Sequence, residues 1–275
     1  MPLTLALRAT TSIPLEVDTI VSGTVRQQSS DEVLRTRIQR GNKQVELGEF
    51  FSATGSAADD ETIVWQGDCS KVKLIGSKQS QGTMRIEGNA GMHLGAEMTG
   101  GEIICTGDAS DWVGAEMKGG RITVLGNAGH LVGSVYRGGR KGMTGGEILV
   151  HGQAGNEIGH TMRRGLIAVG GRCGDAVGVG LIAGTVLVFG EPGIRHGISQ
   201  KRGTIVFFNP GPQLDILPTF RSACTYRPLF LQLYLKHLQT AGFPVPDDCF
   251  SSRYLRYCGD LLEIGRGELL VRETV

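Results

Sequence analysis

The chain has 275 residues, 40% of them hydrophobic, which is enough to bury the core of one large domain or two small ones. It contains 43 glycines, more than twice the ordinary share, yet it lacks the triplet period and the high proline content of collagen. The 28 basic and 27 acidic residues leave a net charge of +1, which excludes a global electrostatic attraction to nucleic acid or to an anionic membrane.

Residues 1–62 are predicted to form an N-terminal cap. Leu3, Leu5 and Leu7 alternate as the buried positions of a strand do. Ser29 and Glu32 have the spacing of a capping box, so a short helix should follow. No apolar run reaches the length of a signal peptide or the ~20 residues of a membrane span, and the six cysteines include no CxxC pair. We therefore expect a cytoplasmic protein with reduced thiols and no contact with membranes.

Residues 63–209 are predicted to form a repeat region, in which a unit of 19 residues with glycine at fixed positions recurs. Each full repeat has glycine at its first, seventh and fourteenth positions. Seven extra residues, GRKGMTG, interrupt the register after the third full repeat. The repeats start at Gly82, Gly101, Gly120, Gly146, Gly165, Gly184 and Gly203.

The repeat predicts an all-β fold. Between its first two glycines lie five residues whose second and fourth members are apolar, as in a strand with one buried face. A helical solenoid is excluded, because each glycine inside a helix would cost about 1 kcal/mol. We predict a single-stranded right-handed parallel β-helix with one turn per repeat, strands about 4.8 Å apart and glycines at corners that need a positive φ or close backbone approach. Its interior ladders should be Leu94, Val113, Val132, Ile158 and Val177, and Met98, Met117, Tyr136, Met162 and Leu181.

Residues 210–275 are predicted to be a C-terminal extension that caps the coil after Phe208. Pro228 suits the start of a helix that should end at Gly242 and, being apolar almost all round, should be buried. The outward strand positions become apolar in the late repeats, so that face should be covered on both sides. The helix with the strands YLRYCGD and GELLV, a second protein of a complex, or both could cover it. These outward positions are Leu166, Ala168, Leu187, Phe189, Val206 and Phe208.

Patterns typical of catalysis or metal binding are not found in the sequence. Glycine strings such as GNAG and GVG lack the GxxxxGK[ST] pattern, and the six histidines lack the spacing of a zinc site. Cys105 and Cys173 are expected to be packing residues. Glu97 and Glu116 should stack one turn apart and face solvent, and an aromatic content of 6% is low for a glycosidase groove.

Basic residues are predicted to line one edge of the coil. Lys118, Arg137, Arg163 and Lys201 share one repeat column and should stand about 5 Å apart per turn, except at the insertion. This edge is either a solvated surface that resists aggregation or a binding strip for an acidic chain or partner surface. Arg164 and Arg202 lie beside two of these residues, and Arg140 and Lys141 lie in the inserted loop.

The GxxxVxGxxGxxxGxxMxG repeat resembles the C-terminal β-helix domain of glutamate synthase large subunits and the C subunits of formylmethanofuran dehydrogenases. The flanking segments GNKQVELGEFFSATG, YRGGRKGMTGG and YLRYCGDLLEIGRGELLV resemble this C-subunit family, and the likeness extends over the whole chain. The C-terminal helix segment is more similar to the bacterial formyltransferase/hydrolase complexes. This resemblance implies a non-catalytic scaffold subunit in tetrahydromethanopterin- and methanofuran-linked one-carbon metabolism.

The resemblance implies that other subunits of the complex hold a zinc amidohydrolase-like site, a formyltransferase site and, in dehydrogenases, a molybdenum or tungsten pterin. The chain itself is then expected to hold no cofactor, and the glutamyl tail of a methanofuran-type cofactor could lie along the basic edge. Three alternatives stay open. They are the C subunit of a true dehydrogenase, a stand-alone module that binds a polyanion, and a β-helix enzyme acting on polysaccharide.

Overall fold

One sheet of 13 strands contains most of the strands, and every repeat contributes one of them. The structure is a computed structural model and describes residues 1–9, 11–212 and 214–273. It is mostly β, with few helices, as expected for an all-β protein. None of the helices in these ranges is long and apolar enough to cross a bilayer.

The strands and helices follow one another at short intervals. The N-terminal segment contains β1 (Leu3–Leu7), β2 (Leu15–Glu16), α1 (Ser22–Val25), α2 (Ser30–Leu34), β3 (Arg37–Arg40), β4 (Lys43–Glu46), a 3-10 helix (Leu47–Glu49) and β5 (Phe51–Thr54). The repeat region contains β6 (Thr62–Gln66), β7 (Val72–Lys73), β8 (Thr83–Glu87), β9 (Glu102–Cys105), β10 (Arg121–Val124), β11 (Glu147–Val150), β12 (Leu166–Val169), β13 (Thr185–Val188) and β14 (Thr204–Phe207). The C-terminal segment contains β15 (Arg221–Tyr226), α3 (Leu229–Thr240), a 3-10 helix (Asp247–Phe250), β16 (Tyr254–Gly259) and β17 (Gly267–Arg272).

The large sheet has the order β15-β16-β17-β14-β13-β12-β11-β10-β9-β8-β6-β1-β5. All pairs from β1 to β17 through the middle of the sheet are parallel, and identical repeat positions face each other, as Ile122 faces Ile103 and Ile148. Antiparallel strands close both ends, with β5 beside β1 and β16 with β15 beside β17. The four short strands β4-β3-β2-β7 form a second sheet.

The core of the repeat region consists of the predicted inward side chains, which are fully buried. One predicted member is wrong: Tyr136 is only half-buried, and Met143 takes its place in the interior. The amide of Met143 donates to the carbonyl of Gly133, as the amide of Met117 donates to that of Gly114. The extra residues therefore precede Met143 instead of extending to residue 145.

The predictions for the C-terminal segment are confirmed in part. The helix α3 covers the outer face of the late repeats through Leu231, Leu235 and Leu238, and Gly242 follows it with a φ of 77°. The strands YLRYCGD and GELLV do not lie on that face. They extend the sheet instead, because β17 offers its backbone groups to the open edge of β14. The helix is also not buried all round, since Leu229 and Leu233 are 75% and 72% exposed.

Candidate functional site

The basic edge is built by one repeated backbone contact. The amides of Lys118, Arg163 and Lys201 donate to the carbonyls of Met98, Met143 and Leu181 at 2.7, 2.8 and 2.8 Å. In the turn between Lys118 and Arg163 the same contact is made by Thr144, whose amide lies 2.7 Å from the carbonyl of Met117. Placing Arg137 in this column was wrong, because Arg137 lies in the inserted loop with Arg140 and Lys141.

Without Arg137, no two cations of this column lie on successive repeats. Lys118 and Arg163 are two turns apart, as are Arg163 and Lys201, and Thr144 and Ile182 stand between them. At about 4.8 Å per turn, the Cα atoms of successive cations are separated by about 10 Å instead of 5 Å. A ligand that contacts all three must therefore extend across at least four turns.

Two of the cations in this column already have acidic neighbours. Lys118 Nζ lies 3.7 Å from Glu97 Oε2, and Lys201 Nζ lies 3.8 Å from Glu263 Oε2. Six further cations are exposed and make no ion pair with any residue in the described ranges, so the uncompensated positive charge lies mainly on them. They are Arg137, Arg140, Lys141, Arg163, Arg164 and Arg202.

An apolar groove adjoins the basic edge where the column of repeat-initial glycines passes beside α3. Its volume is about 820 Å³. Phe230, Leu233 and Tyr234 form the wall on the helix. Leu166 and Arg164 line the opposite side, together with a row of glycines. The glycines are Gly120, Gly146, Gly165 and Gly184.

A side-chain contact with Glu147 holds α3 at the far end of this groove. Glu147, the first residue of β11, accepts a hydrogen bond from Nε of Arg121 and lies 2.7 Å from Nε2 of His237 on α3. Near the middle of the helix the hydroxyls of Tyr234 and Thr185 are 3.4 Å apart. The helix is therefore fixed by polar contacts along the groove as well as by the apolar cluster beneath it.

An aromatic cluster lies on the early turns, and the sequence patterns did not reveal it. The rings of His93 and Trp112 stack with centroids 5.4 Å apart, and the Tyr136 hydroxyl lies 3.0 Å from Nδ1 of His93. Burial lowers the pKa of His93 and raises that of Tyr136 to about 12. Glu116 accepts a hydrogen bond from the amide of Tyr136, so the carboxylates of Glu97 and Glu116 have separate partners.

The thiols inside the repeats are packing groups. Burial raises the pKa of Cys69 and Cys173 to about 12 and that of Cys105 to about 11, so these thiols are protonated at neutral pH. The backbone of Cys69 pairs with that of Ala90, and the backbone of Cys173 with that of Ala154, through single parallel bridges, so both thiols pack beside small residues of the neighbouring repeat. Residues 1–9, 11–212 and 214–273 include no group of three or more His, Cys, Asp or Glu residues that could hold a metal ion.

No family model matches the chain. A segment of it is similar to the C subunit of the molybdenum-containing formylmethanofuran dehydrogenase 1 of Methanothermobacter wolfeii, with 39% identity over 83 residues, which is 30% of this chain and 21% of that protein. The C subunit of the tungsten-containing formylmethanofuran dehydrogenase 2 of Methanococcus maripaludis is 36% identical over 92 residues, 34% of each chain. The similar segment thus spans about a fifth to a third of the curated relatives.

The whole chain is similar to a chain in the crystal structure of the formyltransferase/hydrolase complex from Methylorubrum extorquens, which was solved with methylofuran. The TM-score is 0.89 and the sequence identity 29%, and the match covers 98% of this chain and 100% of that one. The resemblance drawn from the repeat and its flanks is confirmed by these comparisons.

Proposed function

We propose that this chain, which resembles the C subunits of formyl-processing complexes, is a non-catalytic scaffold of a formyltransferase/hydrolase complex in tetrahydromethanopterin- and methanofuran-linked one-carbon metabolism. One observation carries this proposal. The likeness to a chain of such a complex extends over 98% of the chain, including α3 and the strands that close the sheet, at a TM-score of 0.89.

The fold proposed for this scaffold is a single-stranded right-handed parallel β-helix. Successive repeats give parallel strands 19 residues apart, apart from the insertion, and connections between parallel strands are right-handed in nearly all proteins. We propose the division into a cap (1–62), the coil (63–209) and an extension (210–275). The large sheet continues through both boundaries, because β1 pairs with β6 and β17 pairs with β14.

The catalytic groups are proposed to belong to partner subunits. The described part of this chain offers no cluster of metal ligands, and the thiols of Cys105 and Cys173 are buried and protonated, whereas the resemblance implies zinc in a partner. The alternative is the C subunit of a molybdenum- or tungsten-containing formylmethanofuran dehydrogenase, which the names of the curated relatives favour.

Co-expression with the candidate partner subunits tests the proposal and separates it from this alternative. Native mass spectrometry should find the chain in a complex with larger subunits, and elemental analysis should find zinc without molybdenum or tungsten. Molybdenum or tungsten in stoichiometric amount would favour the dehydrogenase. A wild-type chain that stays monomeric beside folded partners would contradict both functions and favour a stand-alone module.

The basic edge is proposed to bind a carboxylate-rich chain, either the glutamyl tail that the resemblance implies or an acidic partner surface. Each exposed contact is worth only about 0.2–1 kcal/mol, so the effect depends on several cations acting together. The double variant Arg163→Glu/Arg164→Glu separates the two ligands. Tail binding predicts a higher KM for long tails in an intact complex at low salt, and partner docking predicts lost assembly. A complex with unchanged assembly and KM would exclude both roles.

A further inference from the structure

The groove between α3 and the glycine column leaves part of an apolar surface without a partner in the described part of this chain. Leu229 and Leu233 are one helical turn apart on α3 and are 75% and 72% exposed, although the other leucines of the helix are buried. Leu233 also lines the groove together with Phe230 and Tyr234. An exposed leucine on the wall of a groove of about 820 Å³, with a second exposed leucine one turn away, is typical of a surface that becomes covered.

The glycines that line the groove have paired carbonyls and unpaired amides. The carbonyls of Gly120, Gly146, Gly165 and Gly184 each accept a hydrogen bond from the next turn, at 3.0, 3.1, 3.1 and 3.0 Å. Their amides donate to no residue in the described ranges. Because these glycines stack turn upon turn, the amides recur about every 4.8 Å along one wall of the groove. Such donors suit carbonyl or carboxylate oxygens of an occupant.

The unpaired charges at the groove and beside it are positive. Arg164 lines it, and Lys236 stands exposed on α3 next to His237. Neither cation forms an ion pair with a residue that the structure describes, whereas Glu147, the acidic group of the groove, already pairs with Arg121 and lies within hydrogen-bond distance of His237. An occupant therefore gains from carboxylates at its ends and from an apolar side chain at its centre.

We propose that this groove docks an acidic segment of a partner subunit, which places an apolar side chain between Leu233, Phe230 and Tyr234 and its carboxylates near Arg164 and Lys236. The inference rests on the proposed function, because it assigns the surface through which the scaffold binds one of its partners. Apolar anchors of this kind carry most of the affinity of an interface, and the surrounding charges set its specificity.

Photo-crosslinking in the assembled complex tests the site directly. The photoreactive amino acid p-benzoylphenylalanine is placed at position 233 of the otherwise wild-type chain, and at exposed Gln239 on the same helix as a control. The proposal predicts a cross-link from position 233 to one peptide of a partner subunit that contains Asp or Glu residues. A cross-link to a second copy of this chain, to a peptide without acidic residues, or none at all in an assembled complex would overturn it.

A pair of charge variants gives a second measurement. Leu233→Asp should weaken assembly at least tenfold in a native-mass titration, whereas Gln239→Asp, which adds the same charge on the same helix, should leave it within about twofold. The isolated variants should melt within a few degrees of each other, because both positions are exposed. Equal assembly of the two variants would overturn the groove as a docking site. Failure of the wild-type chain to enter any complex would instead overturn the proposed function.

Discussion

Replacing Gly114 by alanine should destabilise the fold much more than the same replacement at a glycine without neighbours. Gly114 is the fourteenth residue of its repeat and has a φ of 62°. A Cβ there would lie 2.4 Å from Cδ1 of Ile148 and 3.3 Å from Cδ1 of Ile122, and both isoleucines are fully buried. The new methyl group therefore meets a backbone that disfavours it and a core without room for it.

The expected magnitude is the balance of three effects. A left-handed backbone costs a non-glycine residue about 1–2 kcal/mol, and overpacking a core costs about 1–3 kcal/mol. Alanine also lowers the conformational entropy of the unfolded chain, which offsets about 0.4–1 kcal/mol of this loss of stability. The net loss for Gly114→Ala is about 1–4.5 kcal/mol.

Gly138→Ala is the matched control, because Gly138 has a φ of 84° but a Cβ there would meet nothing within 4 Å. It should lose about 1 kcal/mol or less. Urea denaturation and calorimetry of both variants measure the difference, and Gly114→Ala should melt several degrees lower than Gly138→Ala. If the two variants unfold with the same free energy, the close packing assigned to the glycine corners is wrong.

Three further predictions concern the outer face, a buried histidine and the thiols. Phe189→Asp should cause aggregation or loss of helix α3, because it places a charge against the buried apolar cluster. Leu125→Asp, at a site that is 46% exposed, should stay soluble. Light scattering distinguishes the two variants. Burial lowers the pKa of His196, so below the ordinary pKa of about 6.5 the unfolded state binds more protons than the folded state. The free energy of unfolding should therefore fall as the pH decreases from about 6.5, and it should fall less steeply in His196→Asn. Equal pH slopes for both proteins would contradict this. Native protein at pH 8 should be alkylated first at exposed Cys224 and scarcely at Cys173, because burial raises the pKa of Cys173 to about 12. Equal alkylation rates of the two thiols in peptide mass mapping would refute the packing role of Cys173.

Much of the repeat region could be predicted from the sequence, because each repeat imposes the same physical requirement. Buried alternating residues such as Ile103 and Cys105 fall every 19 residues, and glycine occupies the corners that a Cβ would not fit. The helix α3 also starts after Pro228 and ends before Gly242, as its sequence indicates.

The position of the insertion could not be read from the sequence. Tyr136 and Met143 are each followed by one residue and then two glycines, so either fits the end of a repeat. The interior takes Met143, whose thioether needs no hydrogen-bond partner, whereas a buried Tyr136 would need a partner for its phenol hydroxyl. Tyr136 reaches His93 instead, and Arg137 leaves the basic column with it.

Other features depend on contacts that no local pattern encodes. His93, Trp112 and Leu131 have left-handed backbones, with φ values of 66°, 61° and 63°. Because they are not glycines, the glycine pattern of the sequence does not predict these corners. The pairing of β17 with β14 joins segments about 60 residues apart in the chain, through backbone groups that any sequence offers. The groove beside α3 follows from where the helix docks, which the sequence of the helix alone does not specify.

The most direct test of the scaffold function is to reconstitute formyl transfer from purified subunits with and without this chain. The account predicts that the isolated chain has no activity, and that the partner subunits without it neither form the full complex nor sustain its turnover. Activity in the isolated chain, or partner subunits that assemble and turn over equally well without it, would contradict the account.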